Sequence, residues 1–232
     1  MPANGCTPLP YPVLRIRASG RHRLRDGHPW IYSNQLEEHP KTSEDGTLVC
    51  VRRSGGSLVG IGTYSRHSLI AVRLLSRLPA LIDRSFIENL LRSALAYRER
   101  IYPGREAYRL VHGEADGMPG LIIDRYGDVF VLASYTAGMD RLLPLVVDAL
   151  QQLFPVRGVV LRNDAEVRTV ENLERSVCVL SGEIKEPLTI EESGMTFEVD
   201  VLRGQKTGWF FDQTENRAVF STYVKGCDVL DA

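Results

Sequence analysis

The feature that most constrains this chain is a change of hydrophobic period near residue 78. Ahead of it, short segments at residues 13–17, 47–52, 58–64 and 70–75 alternate apolar and polar side chains between glycine-containing or polar turns. A period of two sends successive side chains to opposite faces of a strand, so this third of the chain reads as a small β domain. Beyond it, Asp83 stands where a helix N-cap belongs, and Phe86, Ile87, Leu90, Leu91, Ala94 and Leu95 recur at helical spacing. A domain boundary near residue 79 follows.

The next block opens on the turn pairs Asp116-Gly117 and Pro119-Gly120. Apolar strands at 121–123 and 129–133 then flank Tyr126-Gly127-Asp128, which reads as a hairpin. Met139, Leu142, Leu143, Val146, Val147 and Leu150 repeat at intervals of three and four, so 137–154 is an amphipathic helix. Strands at 158–161 and 177–180 complete an α+β unit of two strands, a helix and two strands, with one sheet face packed on the helix. The last block reads as a strand at 195–201, a loop at 203–211, a helix over about 212–224 and a strand opening at Asp228.

Composition narrows the setting. With 44% hydrophobic and 25% charged residues, 232 residues can bury a sizeable core. The longest apolar runs, at 120–123 and 129–133, fall far short of the roughly 20 residues of a membrane span. Residues 1–12 carry no basic residue and no signal-length apolar run, so a cytoplasmic protein without membrane contact is expected. Cys6, Cys50, Cys178 and Cys227 are too dispersed for a local metal-ligand pair, and no metal site is expected. The net charge of −1 conceals an asymmetry: residues 13–77 hold eleven Lys or Arg against five acids, a balance of +6, and the remainder is −7. A basic first module suits phosphate, with Arg15, Arg17, Arg21, Arg23, Arg25, Arg52, Arg53 and Arg66 as candidates.

Two motifs invite chemistry and decline it. The segment Gly204-Gln205-Lys206-Thr207-Gly208 lacks the glycine directly before the lysine that a nucleotide phosphate loop needs. His112, Glu114 and Asp116 have the residue types of a proton-transfer cluster, but they flank turn signals, where carboxylates ordinarily form turns.

Three segments, taken in order, resemble one family. They are 28–33 (HPWIYS), 108–127 (YRLVHGEADGMPGLIIDRYG) and 204–217 (GQKTGWFFDQTENR). The chain is similar to ribosomal RNA large-subunit (cytosine-5) methyltransferases, in which a PUA domain precedes a class I S-adenosylmethionine domain. The resemblance implies an α+β multi-domain fold: a β-rich PUA-like barrel at 1–78, the central α+β module at 79–193, and at 194–232 the beginning of an α/β Rossmann-like methyltransferase domain. It implies ribosomal RNA as partner, with His28 and Trp30 joining the arginines. Trp30, between Pro29 and Ile31, is expected mainly to anchor the core. S-adenosylmethionine is the implied cofactor, bordered by Lys206, Phe211, Asp212, Gln213, Arg217 and Asp231. The sequence departs from the family at Thr214, usually Arg, and at Trp209, usually Phe or Tyr.

Methylating the poorly nucleophilic 5-carbon of cytosine requires a cysteine thiolate to add at the neighbouring carbon. Cys227 precedes the implied cofactor strand, whereas the family's nucleophile follows it, so no catalytic residue is assigned. The expectation is a front portion that binds RNA, neither binds the cofactor well nor transfers methyl alone, and has residues from about 194 onward mobile or paired with another copy as a homodimer. A stand-alone PUA-type RNA-binding or assembly protein without enzymatic activity is the alternative.

Overall fold

A computed structural model of the chain describes residues 9–17, 27–40, 44–185 and 187–230. The first sheet holds β1 (Val13–Ile16), β2 (Trp30–Tyr32), β3 (Leu48–Arg53), β4 (Leu58–Tyr64) and β5 (Ile70–Ser76), in the order β1-β3-β4-β5-β2. β1 runs parallel to β3 and the other neighbours are antiparallel. Just past β2, Leu36 bridges Ile16, and the amides of Arg17 and Glu37 donate to Gln35 O and Arg15 O, so the sheet curls until its edges meet. Inside lie Leu14, Ile16, Ile31, Leu36, Val49, Val51, Tyr64 and Val72. β2 was not expected, because three residues are too few to display a period.

The central sheet begins after α1 (Arg84–Ile101), whose first turn is capped by Asp83 accepting from Phe86 N at 2.9 Å. It comprises β6 (Ala107–His112), β7 (Leu121–Tyr126), β8 (Val129–Ser134), β9 (Gly158–Asn163) and β10 (Ser176–Gly182), in the order β10-β9-β8-β7-β6. Only β8 and β9 are parallel, joined through α2 (Ala137–Leu153), which Thr136 caps. Both helices cover one face, burying Ile87, Leu91, Leu142, Val146 and Leu150 against Leu110, Leu121, Ile123, Phe130 and Leu132. The expected two-strand, helix, two-strand unit is present, and β6 and α1 extend it.

The same apolar cluster takes in Cys50, Ile61 and Leu75 from the first sheet, so the core continues across residue 79. Polar contacts reinforce this junction. Arg73 pairs with Glu171 at 2.6 Å, and the second Glu171 oxygen accepts from Ala137 N at the start of α2. Arg141 donates to Glu44 and to Asp45 O, and Trp30 Nε1 donates to Glu114 at 2.8 Å. Trp30 is half-buried and belongs to none of the three apolar clusters, so it ties two modules together and is not the core anchor expected.

The second face of the central sheet is covered too. β11 (Leu188–Glu192) and β12 (Met195–Val199) form a hairpin whose Leu188, Ile190 and Val199, with Val201, pack on Tyr126, Val129, Val131 and Val160. The expected division at residue 193 therefore falls inside the hairpin's turn. The stretch from about 194 onward, expected to be mobile or to pair with another copy, is packed against the chain as far as Thr214, since Val199, Val201, Thr207 and Thr214 are all buried. Beyond exposed Met195, the apolar side chains turned outward in this stretch belong to α3 (Thr214–Tyr223) and the residues after it: Val219, Phe220, Tyr223, Val229 and Leu230. Residues 228–230 form no strand, having no hydrogen-bonded neighbour among the described residues.

At the module junction Gly138 lies so near β4 that a Cβ there would sit 2.2 Å from Thr63 Oγ1 and 2.3 Å from Thr63 Cβ. Gly138→Ala must push α2 and β4 apart, and should lower stability by about 1–3 kcal/mol in chemical denaturation. Unchanged stability would mean that the junction is loose.

Candidate functional site

The segment 200–217 is held at two places to the central sheet and at a third to the β11–β12 hairpin. After β12 the chain turns on Asp200, whose Oδ1 accepts from Leu202 N (3.0 Å) and Arg203 N (2.7 Å), while its carbonyl accepts from Gly204 N. Buried Arg162 of β9 then donates to Val201 O (2.9 Å) and Gly204 O (2.7 Å), with Asp164 balancing its charge. Hydrogen bonding to Arg162 holds the Asp164 carboxyl below its usual range despite partial burial.

The second place is Thr207. Its hydroxyl donates to Asp124 Oδ2, and its carbonyl accepts the Tyr126 hydroxyl at 3.0 Å. Asp124, fully buried on β7, is paired with Arg109 of β6 through Nε (2.8 Å) and Nη2 (3.0 Å). A buried carboxylate is tolerable only when paired and hydrogen-bonded in this way. Burial works against the Arg109 charge, but Asp124 outweighs it and keeps the guanidinium protonated; burial likewise pushes the Tyr126 phenol far up, so that it serves as a donor. Lys206, next to the fixed Thr207, has φ of +52° and lays Nζ 4.1 Å from the centre of the Phe210 ring. For a non-glycine residue this left-handed conformation costs about 1–2 kcal/mol, which the neighbouring contacts sustain.

The third place is Glu192, at the end of β11. It accepts from Arg217 Nε (2.6 Å) and Nη2 (2.9 Å), Trp209 Nε1 (3.0 Å) and Thr214 Oγ1 (2.8 Å). Trp209 and Thr214 are the two positions where the sequence departs from the family pattern, and both donate to one carboxylate.

Among the expected cofactor-bordering residues, Phe211 packs on Tyr126 with ring centres 5.4 Å apart. Asp212 and Gln213 are exposed. Phe211, Asp212 and Thr214 close one end of a cleft of about 750 Å³ that runs between α1 and β6 past Tyr97, Tyr102 and Arg109. Arg217 is committed to Glu192 and to Phe210 O, and Asp231 lies outside the described residues. A class I cofactor crevice opens at the carboxyl ends of parallel strands. Here the ends of β8 and β9 are filled by protein: Asn163 accepts from Ser134 N, Arg168 bonds Ser134 O and Asp140, and Glu171 takes Ala137 N. Among the described residues, the carboxyl ends of these two parallel strands are thus occupied by protein side chains.

Of the expected RNA-binding residues, Arg21, Arg23 and Arg25 lie outside the described residues. Arg15 and Arg52 face one another in register across β1 and β3, and Arg17, Arg53 and Arg66 are exposed. Arg66 sits apart, in the turn after β4 beside Asp45. His28 meets Trp30 edge to face at 5.0 Å. His112, Glu114 and Asp116 do structural work: Asp116 accepts both Arg98 Nη groups and His112 N, and Glu114 accepts Trp30. Cys50 is buried in the core, Cys178 and Cys227 are exposed, and none lines the cleft. Among the described residues there is no metal-ligating cluster and no helix long and apolar enough to cross a membrane. Sequence reasoning passed over Asp124, Arg109 and Glu192. The signal for Asp124 was a carboxylate inside the apolar run LIIDRY, where a strand position demands a partner.

Burial works to raise the Glu192 pKa, but the bonds from Arg217, Trp209 and Thr214 outweigh it and hold the carboxyl at about 2, against 4.5 unperturbed. A depressed folded-state pKa gives stability that is fully present above about 4.5 and is lost as pH falls toward 2. Glu192→Gln should cost about 2–3 kcal/mol at neutral pH, the gap from wild type closing between those limits. Urea denaturation across that range measures it, and a gap independent of pH would refute the charge assignment.

Residues 14–77 match the family of PUA-like domains. Over 207 residues the chain is 37% identical to the Ribosomal RNA large subunit methyltransferase I of Pseudoalteromonas atlantica, covering 88% of this chain and 52% of that protein. The protein of the same name from Alteromonas mediterranea is 36% identical over 219 residues, covering 93% and 55%. The chain thus spans about half the length of the curated relatives it matches. Among solved structures, SMU.776, described as a candidate methyltransferase complexed with SAH, superposes with a TM-score of 0.73 at 21% identity, covering 89% of this chain and 52% of that one. A candidate SAM-dependent methyltransferase from Streptococcus mutans gives 0.74 at 21% identity, covering 92% and 55%. At that identity the likeness establishes a shared fold.

Proposed function

We propose that this chain is the RNA-recognition and site-bordering part of an S-adenosylmethionine-dependent methyltransferase of large-subunit ribosomal RNA, acting on the 5-carbon of a cytosine in the cytoplasm. The observation that carries the reading is the segment 204–217, fixed to β7 by Asp124 and Tyr126 and to β11 by Glu192, in a chain 37% identical to a protein named Ribosomal RNA large subunit methyltransferase I. Binding such a segment so firmly to a sheet suits a border that must keep its shape when a ligand arrives. Lys206, Phe211, Asp212 and Gln213 are assigned to that border. Arg217 acts through Glu192 as a positioning residue. The cofactor, when bound, supplies the methyl group, and no step of the transfer is assigned to the described residues.

For the RNA, the adjacent Arg15 and Arg52 carry the proposal. Like charges directly opposite on a sheet are unfavourable by themselves and become favourable when a phosphate lies across them. Exposed Arg17 follows one residue past β1, its Nε donating to Leu36 O, and Arg21, Arg23 and Arg25 belong to the same basic stretch of sequence. The PUA-like module is taken to end at 78 and the central module to include the β11–β12 hairpin.

Two experiments test this. Binding of the 232-residue chain to large-subunit ribosomal RNA should weaken roughly 100-fold between 50 and 200 mM salt if about five phosphates are contacted. Arg15→Ala with Arg52→Ala should flatten that slope, whereas affinity indifferent to salt would sink the phosphate reading. Independently, disrupting the gene that encodes the chain should remove one 5-methylcytosine from large-subunit ribosomal RNA, read by nucleoside mass spectrometry. Loss of a different modification would correct the base, and an unchanged RNA would overturn the function.

A further inference from the structure

The cleft between α1 and β6 combines features that a merely structural groove does not need. Tyr97 and Ile101 line it from α1 and are 49% and 43% exposed, although the same helix buries Ile87 and Leu91 completely. Tyr102 continues the wall, with the Arg105 guanidinium 4.7 Å over its ring, and Arg100 lies 5.4 Å from the centre of the Tyr97 ring. Phe211 and Asp212 close the end. A space of about 750 Å³ is the size in which proteins hold small ligands.

Charge in and around the cleft falls into two tiers. Inside, Arg98 donates to both oxygens of Asp116 (2.9 and 2.6 Å) and Arg109 to both of Asp124 (2.8 and 3.0 Å), so these two cations are neutralised where they stand. Outside, exposed Arg100 has no carboxylate partner among the described residues, and Arg105 has only exposed Glu215 at 3.8 Å. A phosphate gains little from the neutralised interior. A flat, uncharged ring with an anion attached suits both tiers at once, and that is the constitution of a nucleotide.

We propose that the cleft seats one unpaired nucleobase of an RNA strand, with Arg100 and Arg105 meeting the neighbouring phosphates. This deepens the reading of the chain as an RNA-recognition part and rests on it. Every base has a π-face, so stacking on Tyr97 and Tyr102 needs no particular sequence. At the inner end Arg109 makes no protein hydrogen bond through Nη1 among the described residues, and Asp212 offers a carboxylate. A donor and an acceptor together match the hydrogen-bonding edge of a base. In a duplex both the faces and that edge are already taken, so the strand must present the base splayed out. A base seated here touches Phe211 and Asp212, which border the proposed cofactor site. The cleft therefore anchors the strand close to the reacting nucleotide, while Arg15 and Arg52 hold it elsewhere.

The probe is single-stranded heptauridine carrying one central 5-iodouridine, titrated into the 232-residue chain and then photocrosslinked to it. Peptide mass spectrometry should place the crosslink on Tyr97 or Tyr102, and an RNA hairpin with the same label in its stem should give none there. Tyr97→Leu should weaken heptauridine binding about tenfold, whereas Tyr97→Phe, which keeps the stacking face, should weaken it about twofold at most. Tyr97 is half-exposed, so both variants should fold, as circular dichroism will verify. Three results would each overturn the proposal: crosslinks confined to residues 13–77, equal affinities for the two variants, or release of heptauridine by millimolar S-adenosylmethionine, which gives the cleft to the cofactor's adenine. The salt dependence of large-subunit ribosomal RNA binding separates the two levels. If it stays steep, the cleft alone has failed; if the chain binds neither RNA, the proposed function falls with it.

Discussion

The buried carboxylate of Asp124 is the contact on which the rest of the candidate site depends. It sits on the middle strand of a hairpin pair, fully enclosed, and is neutralised by Arg109 on β6. Its remaining capacity is taken by the Thr207 hydroxyl, eighty-three residues away. An uncompensated charge here would cost several kcal/mol, so strand pairing and loop position are mutually required. With Tyr126 two residues along on the same face of β7, the strand grips Thr207 by hydroxyl and carbonyl alike, and Lys206 is left in a conformation that a free loop would abandon.

Glu192 repeats this logic on the other side. Its oxygens gather a guanidinium, an indole N–H and a hydroxyl, and the result is a carboxylate held ionised far into acid. Trp209 and Thr214 are explained together by it. Phenylalanine at 209 would have no donor for Glu192 while tyrosine would keep a hydroxyl, and arginine at 214 would bring a second cation to a carboxylate already paired with Arg217. At both positions a neutral side chain donates to the same acid.

Most of the helices and strands were legible because their apolar residues keep strict periods. Asp83 capping α1 and the Leu142, Val146 and Leu150 face of α2 stand where the spacing put them. What was illegible depended on partners distant in sequence. β2 is three residues long and exists because β5 accepts it. β11 pairs with β12, and together they bury Leu188 and Ile190 on a sheet face that the helical pattern gave no reason to think was occupied. Reading 194 onward as a separate beginning followed from its own strand, loop and helix pattern together with the resemblance, whereas Val199 and Val201 pack on the sheet of the module before it. Within the candidate site, the segment 206–217 was singled out by its resemblance alone, and the engagement of Arg217 by Glu192 had no signal in the sequence.

The junction between the first and central sheets bears on how such a chain could present RNA to a site. Modules joined by a flexible linker place their ligand over a volume, and the effective concentration falls as that volume grows. Here Cys50, Ile61 and Leu75 share the helices' core, Arg73 is sunk onto Glu171, and Gly138 admits Thr63 at a distance no side chain would allow. Rotating one sheet against the other would have to expose that apolar surface and separate a buried ion pair, each costing several kcal/mol. Arg15 and Arg52 are consequently set at a fixed distance from Lys206 and Asp212. On the proposed reading, an RNA held by the outer face of β1 and β3 would meet the 204–217 segment in one orientation.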